Sequence, residues 1–219
     1  MSMRKMEGSE FDPLVDFFDE MVQTDWLSAI HSELKRFSGS WENKRVLDVG
    51  CGTGRFLLRG VKEAKEVVGV DISGEMVKRA NDLFTNARVD YKAIAKVGDA
   101  LALAETDASY DRVFSTCALF LLPSIESGIA ELKRVTKPEG EVFLLNPAPH
   151  MSIATASSYA EANGFSDNEK AFLLKWATVS ERRHRKSETE LSRLLTDVGF
   201  SQVEHRNVLN GLGMMTKAY

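Results

Sequence analysis

The sequence predicts a three-layer α/β sandwich built on a seven-stranded, mostly parallel sheet, with a helical lid inserted after the fifth strand and an antiparallel hairpin at the end. Three observations carry this expectation. Short β-branched runs alternate with segments of helical period over residues 44–146. The first run ends in the glycine cluster Gly50-Cys51-Gly52-Thr53-Gly54, and the dipeptide Asn210-Gly211 near the C-terminus separates two further runs in the manner of a hairpin turn. At 219 residues, 43% hydrophobic and 27% charged, the chain suits one sizeable domain.

The elements follow in order. Over residues 10–37, Leu14, Val15, Phe18, Met21, Val22, Leu27, Ile30 and Leu34 recur at helical spacing with a break at Thr24-Asp25, which predicts two helices. Arg45-Val46-Leu47-Asp48-Val49 reads as a buried strand running into the glycine turn, with a helix expected over 55–64. The unit repeats as a strand over 66–70 ending at Asp71, and as a helix over 74–84 carrying Met76, Val77, Ala80, Leu83 and Phe84. A third strand is expected over 89–94, a fourth within 110–122, a helix from Pro123-Ser124 with Ile125, Ile129, Leu132 and Val135 on one stripe, and a fifth strand over 141–145 after the turn Lys137-Pro138-Glu139-Gly140. Such alternation implies right-handed crossovers and helices on both faces, with ligands at the carboxyl ends of the strands.

The repeat breaks over residues 150–186, too long for a simple loop, with helical stretches at 152–163 and 167–181; this is the expected lid. Ser187 and Glu190 form a capping box for a helix that closes at Gly199, and strands over 201–208 and 212–218 complete a region spanning 187–219.

The net charge of −4 offers no general attraction to nucleic acid, and none is expected as a partner. Cys51 and Cys117 match neither zinc spacing nor a disulfide framework, so no metal is expected and a reducing, cytoplasmic compartment is. The first residues lack the apolar core of a signal peptide, and no apolar run is long enough to span a bilayer. Oligomeric state is not legible.

An aspartate before a glycine-rich turn, with a second acidic residue closing the next strand, suits a nucleoside ligand with a charged tail. Glycines let backbone approach the ligand, and an acidic side chain such as Asp71 accepts from both ribose hydroxyls. A dinucleotide fingerprint starting at Gly50 would need glycine at position 55, where Arg55 stands, so an NAD-dependent oxidoreductase is disfavoured. The plainer alternative, in which Asp48 only caps the turn and Asp71 only starts a helix, explains less of the pattern.

Val46-Leu47-Asp48-Val49-Gly50-Cys51-Gly52-Thr53-Gly54 resembles the first motif of class I, Rossmann-like S-adenosylmethionine-dependent methyltransferases, of the small-molecule kind close to the quinone-biosynthesis group. Val70-Asp71-Ile72-Ser73, Gly98-Asp99-Ala100, Phe114-Ser115-Thr116-Cys117 to Leu122, and Lys137-Pro138-Glu139-Gly140-Glu141 fall in that family's order. The resemblance implies that Asp48 and the backbone of Gly50, Cys51, Gly52 and Gly54 hold the methionine end of S-adenosylmethionine, the product being S-adenosylhomocysteine. It further implies that Asp71 holds the ribose, that Ile72 packs on the adenine, that Asp99 and Ala100 meet the adenine edge, and that Cys117 lies near the sulfonium. Phe11 or Phe18 would close over the site.

Methyl transfer from a sulfonium is an in-line displacement that asks mainly for positioning and exclusion of water. No catalytic constellation is visible; His150 and Tyr159 are the candidates should a base be needed, and Ser157, Ser158, Tyr159, Phe165, Phe172 and Trp176 of the lid are the expected specificity elements for a small, partly apolar acceptor. The basic run Glu181-Arg182-Arg183-His184-Arg185-Lys186 reads as a solvated helix end or as an attractor of an anionic substrate. A protein that binds the cofactor without turnover, as sensor or partner subunit, is the alternative from another class.

Overall fold

Of this chain the computed structural model describes residues 3–219. Seven strands form one sheet: β1 Arg45–Val49, β2 Glu66–Asp71, β3 Ala93–Val97, β4 Tyr110–Thr116, β5 Thr136–Pro147, β6 Val203–Val208 and β7 Gly213–Ala218. Their spatial order is β3-β2-β1-β4-β5-β7-β6, with β1 to β5 parallel and β7 antiparallel to both its neighbours. The order reverses after β1, between β1 and β4, which opens a crevice at the carboxyl ends of these strands.

The helices are α1 Val15–Met21, α2 Asp25–Phe37, α3 Gly74–Asn86, α4 Ile125–Val135, α5 Ile153–Ala162, α6 Asp167–Ser180 and α7 Glu188–Asp197. Thr24 ends the first helical stretch and precedes the second, where the sequence placed the break. One sheet face packs Val46, Val67, Phe114, Phe143 and Leu145 against α2, α3 and the lid helices α5 and α6. The opposite face packs Leu47, Val68, Val113 and Leu144 against α4 and α7. Alternate residues of one strand thus enter two cores, the reason these strands read as unbroken apolar runs. Serines cap four helices: Ser73 accepts from the Met76 N–H, and Ser152, Ser166 and Ser187 each complete a capping box, the last as the sequence pattern predicts.

Four expectations are corrected. The helix expected over 55–64 is a run of turns with one 3-10 segment, Leu57–Arg59. Gly54 at φ +75° and non-helical Gly60 leave too few residues between them for a helical nucleus. Trp41 also sits so close that a Cβ at Gly60 would lie 2.2 Å from its ring. The third strand begins at Ala93, later than expected, because Arg88 at φ +57° ends α3 and the buried Val89 turns back to bond the Phe84 carbonyl. The turn Lys137-Gly140 is a bulge within the longer β5, lying between the pairs Tyr110–Thr136 and Arg112–Glu141. The terminal turn has three left-handed residues, Leu209, Asn210 and Gly211, where a two-residue turn was expected.

Candidate functional site

The glycine turn folds across the end of β2. The N–H groups of Gly50 and Cys51 both donate to the Val70 carbonyl, at 2.7 and 3.1 Å. Gly50 takes φ +79°, and a Cβ there would lie 2.2 Å from that of Ala118, so the turn approaches the β4 loop as closely as backbone allows. Gly52 also takes a left-handed φ, but a Cβ there would meet nothing within 4 Å: its free side is open space. Gly54 differs, since its Cβ would strike Phe84 at 2.8 Å and Ala80 at 3.0 Å. That glycine is required by the packing of α3 beneath the turn.

Asp71 closes β2 and accepts from the N–H groups of Gly52 at 2.8 Å and Ser73 at 3.0 Å. Burial raises its carboxyl against these stabilising bonds. Asp48 lies in the neighbouring strand, between Gly69 and Phe114, fully buried, and among the described residues neither of its oxygens has a hydrogen-bond partner. Burial, and then the charge of Asp71, push it up to about 7. An orphaned carboxylate under a glycine turn with open space above it fits a ligand that brings a cation or several N–H or O–H donors.

On the other rim, the Asp99 carboxylate accepts from the Leu101 N–H at 2.9 Å and from the Lys5 ammonium at 2.6 Å. Burial opposes its charge, yet the Lys5 bond holds it below the usual carboxylate range. Cys117 stands at φ +56° after β4, its N–H bonded to the Leu145 carbonyl at 2.8 Å. Burial, then Asp48, push its thiol up to about 12, and burial also raises Cys51, so both sulfurs are neutral rather than nucleophilic thiolates.

These groups border one cavity of about 330 Å3. Gly50, Cys51, Gly52, Asp71, Ile72, Asp99, Ala100 and Cys117 line it together with the apolar and aromatic Phe11, Phe18, Met21, Leu27, Phe56, Phe120 and Trp176, and with His31. Asp48 and Gly54 lie behind the wall, beneath the turn. The structure therefore gathers the residues that sequence singled out around the glycine turn, together with Phe11 and Phe18.

It does not gather the lid candidates. His150, Ser158 and Tyr159 border a separate, open depression with Asn163 and Asn210. The helix α5 buries Ala156 and Ala160, which turns Tyr159 toward Phe165 and away from this cavity. Ser157 bonds Glu161 on the same helix, Phe165 stacks on Trp26, and Phe172 packs on Phe17; of the lid residues expected to set specificity, Trp176 alone reaches the cavity wall. The basic run is not an open anion site either. Arg183 donates to the carbonyls of Arg4 and Leu121, His184 to that of Leu122, and Arg185 to that of Met151 at 2.6 Å, which ties the lid's end to the β4 loop and to the segment after β5.

Sequence reading missed Lys5, Phe17, Met21 and His31 as cavity residues. A signal existed for His31 alone: it sits one turn after Leu27 on the buried stripe of α2, a titratable group where an apolar one is expected.

A family model described as a methyltransferase domain matches residues 46–140. A demethylmenaquinone methyltransferase of Renibacterium salmoninarum is 30% identical over 190 residues, covering 83% of this chain and 76% of that protein. The chain belongs to the class I S-adenosylmethionine-dependent methyltransferases. A 27-O-demethylrifamycin SV methyltransferase of Amycolatopsis mediterranei is 37% identical over 111 residues, which is 48% of this chain; the chain spans only 40% of the length of that relative. The crystal structure of a methyltransferase from Aquifex aeolicus superimposes with a TM-score of 0.65 at 20% identity, covering 98% of both chains, and shares the fold. Among the described residues no helix is long and apolar enough to cross a membrane.

Proposed function

We propose that the chain transfers the methyl group of S-adenosylmethionine to a small, largely apolar acceptor, with positioning as its main catalytic device. The observation that carries this reading is that the Gly50–Gly52 turn, Asp71 and a set of aromatic side chains line one and the same cavity. The sulfonium of the cofactor supplies an activated methyl carbon, so the protein has to bind, orient and dry the site.

Each group has a role in that reading. Asp48 and the backbone of Gly50, Cys51 and Gly52 receive the methionine end, with Gly54 holding the turn against α3. Asp71 accepts from the ribose hydroxyls, Ile72 packs on the adenine, and Asp99 with the Ala100 N–H meets its polar edge. Cys117, neutral and small, borders the sulfonium. The side chains of Phe18, Phe56, Phe120 and Trp176 exclude water and set the acceptor against the methyl carbon, where orientation alone lowers the barrier by several kcal/mol. The relatives named as demethylmenaquinone and 27-O-demethylrifamycin SV methyltransferases support a small-molecule acceptor of largely apolar character. Two free thiols, Cys51 and Cys117, support a cytoplasmic setting.

Isothermal titration with S-adenosylmethionine, S-adenosylhomocysteine and NADH tests the reading. Micromolar binding of both S-adenosyl compounds and none of NADH is expected, with Asp71→Ala weakening it about 100-fold through loss of two charge-assisted hydrogen bonds. Absence of binding by either S-adenosyl compound would overturn it.

A further inference from the structure

His31 borders the chamber with a ring that makes no hydrogen bond among the described residues, and the indole N–H of Trp176 makes none either. It is 4% exposed, its Nδ1 is sealed in the core without a partner, and Nε2 has none among the described residues. The imidazole borders the cavity, its ring centroid 5.4 Å from that of Phe56 in an edge-on arrangement. Leucine at this position would continue the stripe of Leu27 and Leu34 with no unmet polar atom, so an imidazole here costs stability unless something in the cavity meets it.

The neighbouring charges define what that something is. Arg55 is held by both oxygens of Asp19, at 2.7 and 2.8 Å, and Lys5 is held by Asp99. Lys175 lies exposed at the mouth. The chamber floor therefore offers no free charge of either sign. Burial, and then the charge of Arg59, hold the imidazole neutral, down to about 3.

Resting on the methyltransferase reading, we propose that His31 anchors the acceptor, and that the chamber takes a flat, uncharged, mostly apolar molecule through a hydroxyl group hydrogen-bonded to Nε2. Nδ1 is sealed, so Nε2 is the atom through which the ring meets a ligand. A hydroxyl donates to Nε2 in one tautomer and accepts from it in the other, whereas a carbonyl serves only one and an ammonium only the other. The rings of Phe18, Phe56 and Trp176 supply the flat apolar surfaces on either side.

The probe is the pair 2-naphthol and naphthalene, equal in shape and differing by one hydroxyl, measured by equilibrium dialysis on protein saturated with S-adenosylhomocysteine. The wild type is expected to prefer 2-naphthol about ten-fold, the worth of one hydrogen bond. His31→Leu should lose that preference while binding naphthalene as well or better, and should melt at or above the wild-type temperature. His31→Gln, which carries a polar atom near the Nε2 position, should recover part of the preference. A preference that survives in His31→Leu would overturn the proposal, as would a wild type that holds S-adenosylhomocysteine but binds neither probe or binds both alike. Failure of S-adenosylhomocysteine itself to bind the wild type would instead sink the methyltransferase reading.

Discussion

Replacing Asp48 by asparagine should stabilise the ligand-free protein above pH 5, an unusual outcome for a change at a binding residue. The wild-type carboxyl is fully buried with both oxygens unpaired, and burial, then Asp71, raise it to about 7. In the unfolded chain the same group titrates near pH 4. Between these values the folded protein holds a proton that the unfolded chain has released, so the native state binds more protons and stability falls as pH rises. Stability is lost progressively across that window, so the deficit relative to Asp48→Asn grows from pH 5 to a few kcal/mol at about pH 7 and then levels off. Below pH 4 the two proteins should coincide. Urea unfolding of both, at half-unit steps from pH 4 to 8, measures the difference directly, and Asp71, common to both, largely cancels. Parallel curves, or a wild type more stable than the variant at pH 7.5, would refute the reasoning, because either means that the carboxylate is already compensated in the free protein. S-adenosylhomocysteine reverses the balance, since an ammonium placed on Asp48 favours its ionised form. The wild type should therefore release a proton on binding at pH 6, seen as a buffer-dependent heat of titration, and Asp48→Asn should not.

The two glycines of the turn should separate under substitution. Gly52→Ala meets no protein atom and carries only the left-handed backbone cost of about 1 kcal/mol, yet its methyl enters the open space beside the turn and should weaken S-adenosylhomocysteine more than ten-fold; unchanged affinity would remove the turn from the cofactor site. Gly54→Ala, driven into Phe84 and Ala80, should lose about 2–3 kcal/mol in thermal or urea unfolding; a stability loss no larger than that of Gly52→Ala would contradict the packing role. Lys5→Met removes a half-exposed ion pair, so its melting temperature should barely move. Because Lys5 occupies one oxygen of Asp99, freeing that oxygen should tighten S-adenosylhomocysteine about five-fold by titration calorimetry, the equivalent of a pair worth about 1 kcal/mol; no change or a loss would take Asp99 out of the adenine contact.

What the sequence determined by itself is the part of the protein governed by neighbours along the chain. A strand closed by Gly50, Gly52 and Gly54 dictates where backbone turns left-handed, and Asp71 at the end of the next strand caps the Gly52 N–H of that turn, so the grouping of these residues around one cavity was legible in their spacing. The capping box of Ser187 and Glu190 was readable for the same reason. Tertiary structure decided the rest. The segment 55–64 has a helical composition but is pinned by Trp41 and two glycines into turns, because a contact distant in sequence outweighs a weak local preference. Which lid residues face the cavity depends on the rotation of α5 and α6 against the sheet, and that rotation is set by where Ala156, Ala160, Leu173 and Ala177 find apolar partners; it sends Tyr159 away and brings Trp176 in. Lys5 and His31 reach the site from segments with no motif at all. Their place follows from the packing of the N-terminal helices over the sheet, a burial of apolar surface that is insensitive to order along the chain and therefore leaves no local signature beyond one histidine on an otherwise apolar stripe.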